Sequence, residues 1–322
     1  MIHRERIRTY LERGYWNRRS MLMFRAGIRM SPGLSNVLLG RSDQGNKNPT
    51  TNLSTIQDAP SKLSNLISTI QGIEHAAIIG CAVFGSYADG SSCSYSDFDG
   101  IMLIDLKRID RNKNSLKSLR KIISKTDSQL LSIDSLQHHG WHIVFTDDTN
   151  GNPHVIPTAA LGECYALSKP FDLPLYNNTL DRSAVLHFCQ RLNQSIVLVN
   201  ESYSLYAFKS ILSRFMLLPA LYLQATTGKQ VTKKESFDAL RLLMPGLNYS
   251  ALNTAGTWRL NWRQPNSHDA DLKPIRKYIF PLTPKYPRSD SHIGMNEIQP
   301  WKQDAIAFIQ SLIATLESGF QE

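Results

Sequence analysis

The chain is short of cysteine, of long apolar runs and of acidic residues near its start, and each shortage removes a class of protein. Four cysteines, Cys81, Cys93, Cys164 and Cys189, lie far apart with no Cys-x-x-Cys pair. Neither a zinc ribbon nor a disulfide framework is indicated, and a reducing, cytoplasmic setting is expected. The longest apolar run, residues 215–223, is too short to cross a bilayer and contains Pro219, so it reads as a buried helix and no membrane step is expected. The N-terminus lacks the charge, apolar core and small-residue order of a signal peptide, and Glu5 and Glu12 weaken a transit-peptide reading. No internal repeat is visible. What remains is an ordinary balance over 322 residues, 42% hydrophobic and 20% charged, enough for two packed cores.

The net charge of +9 is unevenly placed. Residues 1–50 hold ten Lys and Arg against three acids, +7, which leaves +2 for the other 272 residues. A basic body that tracks a phosphate backbone is therefore disfavoured, and the charge describes an N-terminal arm on a nearly neutral globule. Over residues 1–30, Ile7, Leu11, Tyr15, Met21, Phe24 and Ile28 recur at roughly helical spacing among arginines, an amphipathic arm that suits either RNA contact or a solvated helical face. Residues 31–60 turn to Ser, Asn, Thr, Gly and Pro and read as a polar linker.

An α/β rhythm follows. The spacing predicts a helix over 61–73, a buried strand over 76–84, a second strand over 98–106, a helix over 113–125 and a strand over 140–146. Beyond 181 the pattern is helical, over 181–199, 202–227, 233–244 and 299–317, with a long irregular connection across 245–298. The expected class is α+β: a mixed-sheet domain over 61–180 followed by a mostly helical C-terminal domain over 181–322.

The chemistry lies in VFGSYADGSSCSYSDFDGI, residues 83–101. An apolar strand delivers Gly85-Ser86 to a turn, and after a spacer of ten residues Asp97-Phe98-Asp99 opens the next strand. Residues i and i+2 of a strand share a face, so Asp97 and Asp99 can present two carboxylates to one site while Phe98 turns into the core. Two hard oxygen ligands on a rigid element suit Mg²⁺ bound together with substrate phosphates. Gly85 lets backbone approach a phosphate and Ser86 can help cradle it. A lone Gly-Ser turn or a lone Asp-x-Asp would mark only a capped turn; the joint pattern between apolar strands points to metal-dependent phosphoryl transfer.

At these residues the chain resembles the DNA polymerase β-like nucleotidyltransferase superfamily, in feel closest to its minimal and antibiotic-modifying branch. The direct match spans about twenty residues, and the order of the surrounding elements extends it across 61–322. The resemblance implies an enzyme that transfers a nucleoside monophosphate from an NTP, ATP first among the expected substrates, to an acceptor hydroxyl with release of pyrophosphate. Asp97 and Asp99 would hold two Mg²⁺ ions, and Gly85 and Ser86 the triphosphate. The acceptor stays open between an RNA end, a protein side chain, a small molecule and another nucleotide. A catalytically degenerate nucleotide- or partner-binding module is the alternative.

Relatives complete the site with a third carboxylate on a neighbouring strand, whereas the matching stretch here, HHGWHIVF, holds no acid. Asp134 precedes it, Asp147 and Asp148 follow it, and His138, His139 and His142 lie within it. An imidazole could serve as base or ligand, with His139 favoured. From the helical half, Lys209 and the pair Lys233-Lys234 are the candidate triphosphate-binding lysines by the same resemblance.

Overall fold

The structure, a computed structural model, describes Ile7, Tyr10, Leu11 and residues 50–57, 59–109, 113–134, 137, 140–146, 163–174, 180–199, 205–263 and 295–318. Strand β1 (Thr50–Leu53) leads to a 3-10 turn and helix α1 (Ser64–Gln71), then β2 (Ile78–Phe84), a 3-10 turn at Gly85–Tyr87 and β3 (Asp99–Ile104). Helix α2 (Lys113–Ile133), β4 (His142–Phe145), the two-residue β5 (Tyr165–Ala166) and β6 (Phe171–Pro174) complete this half. The central sheet runs β4-β3-β2-β5 and is mixed, with β2 antiparallel to both β3 and β5 and β3 parallel to β4. The parallel pair requires a crossover, and α2 supplies it. The fold is α+β, as the element pattern predicts.

Strand alternation sorts the side chains to two covered faces. Met102, Ile104, Ile143 and Phe145 pack against Leu63, Leu66, Leu119 and Ile123 of the helical layer. Ile101, Leu103 and Val144 face Leu53, Phe171 and Leu173 on the other side, where β1 and β6 form an antiparallel pair. Burying side chains of this size stabilises by roughly 1.5–3 kcal/mol each, and a one-residue slip would exchange the two faces, so the register of β3 is strongly specified. Leu11 is wholly buried in the α1–α2 core, and the Arg120 guanidinium lies 4.5 Å from the centre of the Tyr10 ring. The start of the basic arm thus packs on the body.

The second half consists of α3 (Arg182–Val197), α4 (Leu205–Phe215), α5 (Leu218–Thr227), α6 (Lys233–Leu243), α7 (Ser250–Leu260) and α8 (Met295–Ser318) around one apolar core. Phe208, Phe215, Trp258, Trp301 and Phe308 meet there with ring centroids 5.5–5.8 Å apart, in tilted and edge-on pairs. The apolar run at 215–223 is explained by α5, every residue of which from Leu218 to Gln224 is buried. Among the described residues no helix is long and apolar enough to cross a membrane.

The observed elements depart from the expected ones in several places, and β5 and β6 were not among the expected strands. β1 lies inside the stretch read as linker, paired along its length to β6. The helix expected over 202–227 is two helices, and Pro219, which has no N–H to donate to a preceding turn, occupies the first turn of α5, where none is needed. The connection read as irregular contains α7, which buries Ala251, Leu252, Ala255 and Trp258. Helix α2 continues past residue 125 to Ile133, and that extra length delivers Asp134 to the site.

Candidate active site

The Gly-Ser turn and the acidic pair face each other across the β2–β3 ladder. Phe84, the last residue of β2, pairs with Asp99, the first of β3. Gly85 follows with φ +66°, and a Cβ on it would stand 2.9 Å from Asp99 Oδ2. Both the left-handed backbone and the close carboxylate require glycine here. Gly85 C=O accepts from the Ala88 and Asp89 N–H groups at 2.8 and 3.0 Å, which closes the turn that carries Ser86. Asp97 does not belong to the strand, as the alternation argument supposed, but to the segment entering it.

Asp97 is paired with a lysine from the other half of the molecule. The Lys209 ammonium of α4 contacts Asp97 Oδ1 and donates to Asp134 Oδ2 at 2.6 Å, and its side chain is completely buried. Asp134 is also fully buried. Burial pushes the Asp134 carboxyl up to about 7, with Lys209 opposing the rise and Asp97 adding to it. Burial alone would lower the Lys209 ammonium, but Asp134 and Asp97 outweigh it and raise the pKa above the ordinary lysine range. Tyr87 of the Gly-Ser turn senses the same cluster: burial, then Asp134, pushes its phenol up to about 12.

A second buried side chain fixes the spacing of the two aspartates. Gln137, wholly enclosed, accepts from the Phe98 N–H at 2.9 Å and donates from Nε2 to the Phe98 C=O at 2.9 Å. One amide thus makes both hydrogen bonds that a neighbouring strand would make to the residue between Asp97 and Asp99. The Phe98 ring stacks edge-on to Trp141 at 5.4 Å, and a Cβ at Gly100 would come within 2.4 Å of Phe98 and 2.6 Å of Trp141. The indole N–H of Trp141 donates to Thr126 Oγ1 at 2.9 Å, which ties this stack to α2.

The helical half contributes further cations. Lys233 opens α6, whose start is fixed by a capping box: Thr232 Oγ1 accepts from the Glu235 N–H at 3.2 Å and Glu235 Oε2 from the Thr232 N–H at 2.9 Å. Lys233 is solvent-exposed, and the protein mass behind it lowers its ammonium pKa. Burial is the largest cause, Arg259 of α7 lowers it further, and Asp99 and Asp97 pull it back. Lys233 and Arg259 therefore stand within electrostatic reach of the acidic pair. Lys234 is exposed. The spacer loop is fastened to the end of α7: Cys93 Sγ donates to the Arg259 C=O at 3.6 Å, Ser94 Oγ to the Trp262 C=O, and Tyr95 meets the Trp262 ring edge-on at 5.0 Å.

Among the described residues, His142 is the imidazole on the Asp99 face of the sheet. It pairs in register with Ile101 of β3, so it shares the face of Ile101 and Asp99, and its ring lies 5.7 Å from that of Phe84. His139, the favoured candidate from sequence, lies outside the described residues, as do His138, Asp147 and Asp148. Sequence reasoning missed Gln137 and Arg259 as site residues. Their contacts span tens of residues, and only the T-x-x-E cap before α6 was a local signal.

Two carboxylates two residues apart, with the Gly85 turn against Asp99, fit a divalent ion completed by substrate oxygens. Among the described residues no group of three or more His, Cys, Asp or Glu is arranged to hold a metal on its own. A cavity of about 480 Å³ lies at the opposite end of β2, against Ile78, His75, Arg108 and Lys169, and none of Gly85, Asp97, Asp99 and Lys233 lines it. No known protein-family model matches the chain, and no curated protein matches it significantly.

Proposed function

We propose that the protein is a Mg²⁺-dependent nucleotidyltransferase of the DNA polymerase β-like type, moving a nucleoside monophosphate from an NTP, ATP first among candidates, to an acceptor hydroxyl. The observation that carries this reading is the Gly85–Ser86 turn set against Asp99, with Asp97 two residues before it and Lys233 within electrostatic reach of both acids. Gly85 and Ser86 bring bare backbone and a hydroxyl to the phosphates, and Lys233 and Arg259 offset their charge from the helical half. Asp97 and Asp99 would hold the ion, which when bound supplies charge neutralisation at the reacting phosphate. The acceptor oxygen bonds to the α-phosphorus as the bond to the β-phosphate oxygen breaks, and pyrophosphate leaves. The acceptor proton goes to a base on the Asp99 face of the sheet, where His142 stands. Since this chemistry is mostly positioning and electrostatics, the carboxylates matter more than Ser86.

Purified protein incubated with Mg²⁺, α-labelled NTPs and a panel of RNA ends, proteins, small alcohols and nucleotides is expected to transfer label. Asp97→Ala lowers the rate by on the order of 10³-fold or more. Absence of transfer and of pyrophosphate release across the panel would overturn the reading. One observation favours a non-catalytic nucleotide-binding module instead: β4 carries no acid, and the further acid in the cluster, Asp134, is committed to Lys209. That alternative expects NTP binding with no labelling, and any labelling dependent on Asp99 excludes it.

A further inference from the structure

Lys209 is misplaced for a residue that reaches out to a triphosphate. It comes from the middle of α4, its side chain has no solvent exposure, and its ammonium lies between Asp97 and Asp134. The Tyr95 hydroxyl donates to the Lys209 C=O at 2.9 Å and exchanges a hydrogen bond with Ser213 Oγ at 2.8 Å. The Tyr95 ring closes over the ammonium, 5.1 Å from its centre. This is a fixed positive charge installed against one oxygen of Asp97. Two divalent ions sharing a phosphate need a carboxylate that bridges them and further acids to complete each shell. Here Oδ1 of Asp97 is occupied by the ammonium, Asp134 is turned to the same ammonium, and β4 brings no acid to the sheet face.

We propose that Lys209 is a built-in cation of this centre that takes the place of one divalent ion, so that the site binds a single exchangeable metal with its nucleotide. The inference rests on the nucleotidyl-transfer reading and corrects its two-ion expectation. Lys209 acts through Asp97, as a positioning residue: it holds the carboxylate together with Asp134 and supplies part of the charge that a second ion would bring. The arrangement also makes the metal site depend on the helical half, because the ammonium reaches the sheet only while α4 is docked.

The test is a count. The full-length chain, saturated with the non-hydrolysable analogue α,β-methylene-ATP, is titrated with Mn²⁺, and bound ions are counted by electron paramagnetic resonance with nucleotide occupancy measured separately. One Mn²⁺ per chain is expected for the wild type, and two for Lys209→Met combined with Asp134→Asn, which removes the buried ammonium together with its buried partner. Two ions in the wild type overturn the inference and leave nucleotidyl transfer standing. One ion in a double variant whose near-ultraviolet circular dichroism matches wild type also overturns it. Should that variant not fold, the wild-type count decides alone. Nucleotide binding without any Mn²⁺ overturns the metal-dependent reading itself, and this inference with it.

Discussion

At the scale of single residues, the candidate site is organised by groups buried away from solvent. Asp134 is held up to about 7 from an ordinary 3.8, chiefly by burial. The folded chain therefore binds this proton more tightly than the unfolded chain, so the contribution to stability is complete below about 3.8 and is lost as pH rises toward about 7. With chelator present, the wild-type urea midpoint should fall between pH 5 and pH 8 by more than that of Asp134→Asn; equal falls would show that Asp134 is not the titrating group. Gln137 offers a second test. Gln137→Met keeps the volume but orphans the N–H and C=O of Phe98, at roughly 1–3 kcal/mol for each buried group. Urea unfolding should register that loss, and metal affinity should weaken with it because Asp97 and Asp99 lose their fixed spacing. A variant as stable as wild type would mean that another group had taken over the clamp.

At the scale of elements, function follows where helices start and strands end. Lys233 is the first residue of α6, so the capping box at Thr232 sets its position. Thr232→Ala should cost about 1 kcal/mol of stability and raise the KM for NTP with little change in kcat, whereas a purely structural cap would leave KM alone. The Gly-Ser turn, the acidic pair and the two flanking strands were legible because each is a local pattern: an apolar run, a glycine that must sit at positive φ, two acids two residues apart. The pairing of Lys209 with Asp97 and Asp134 was not, since an apolar helix face looks the same whether or not a lysine on it points at an acid. Helix α7 was hidden for a different reason. Its buried face rests on Ala251, Ala255 and Trp258 among Asn, Thr and Gly, and alanine contributes little apolar periodicity. The imidazole was half legible: a histidine-rich strand entry can be seen, but the face that His142 takes needs the β3–β4 register, which places it opposite Ile101.

At the scale of the whole molecule, the two halves exchange side chains. Tyr95 leaves the sheet half to join the helical core, while Lys209 leaves the helices to sit between two acids of the sheet half. A chain cut after residue 180 would keep Asp97 and Asp134 without their cation and expose Tyr95. It should retain helical far-ultraviolet signal but lack the near-ultraviolet signature of packed Trp141. A well-packed fragment would show that the sheet half is self-sufficient. The exchange also bears on descent and design. Recombining the sheet half of this protein with the helical half of another succeeds only if lysine and tyrosine travel as a matched set, because either one alone strands a charge or leaves a hole. A lineage carrying this arrangement would be inherited as one block, and a search for its kin should look for a lysine in the helical half that accompanies a tyrosine two residues before the acidic pair.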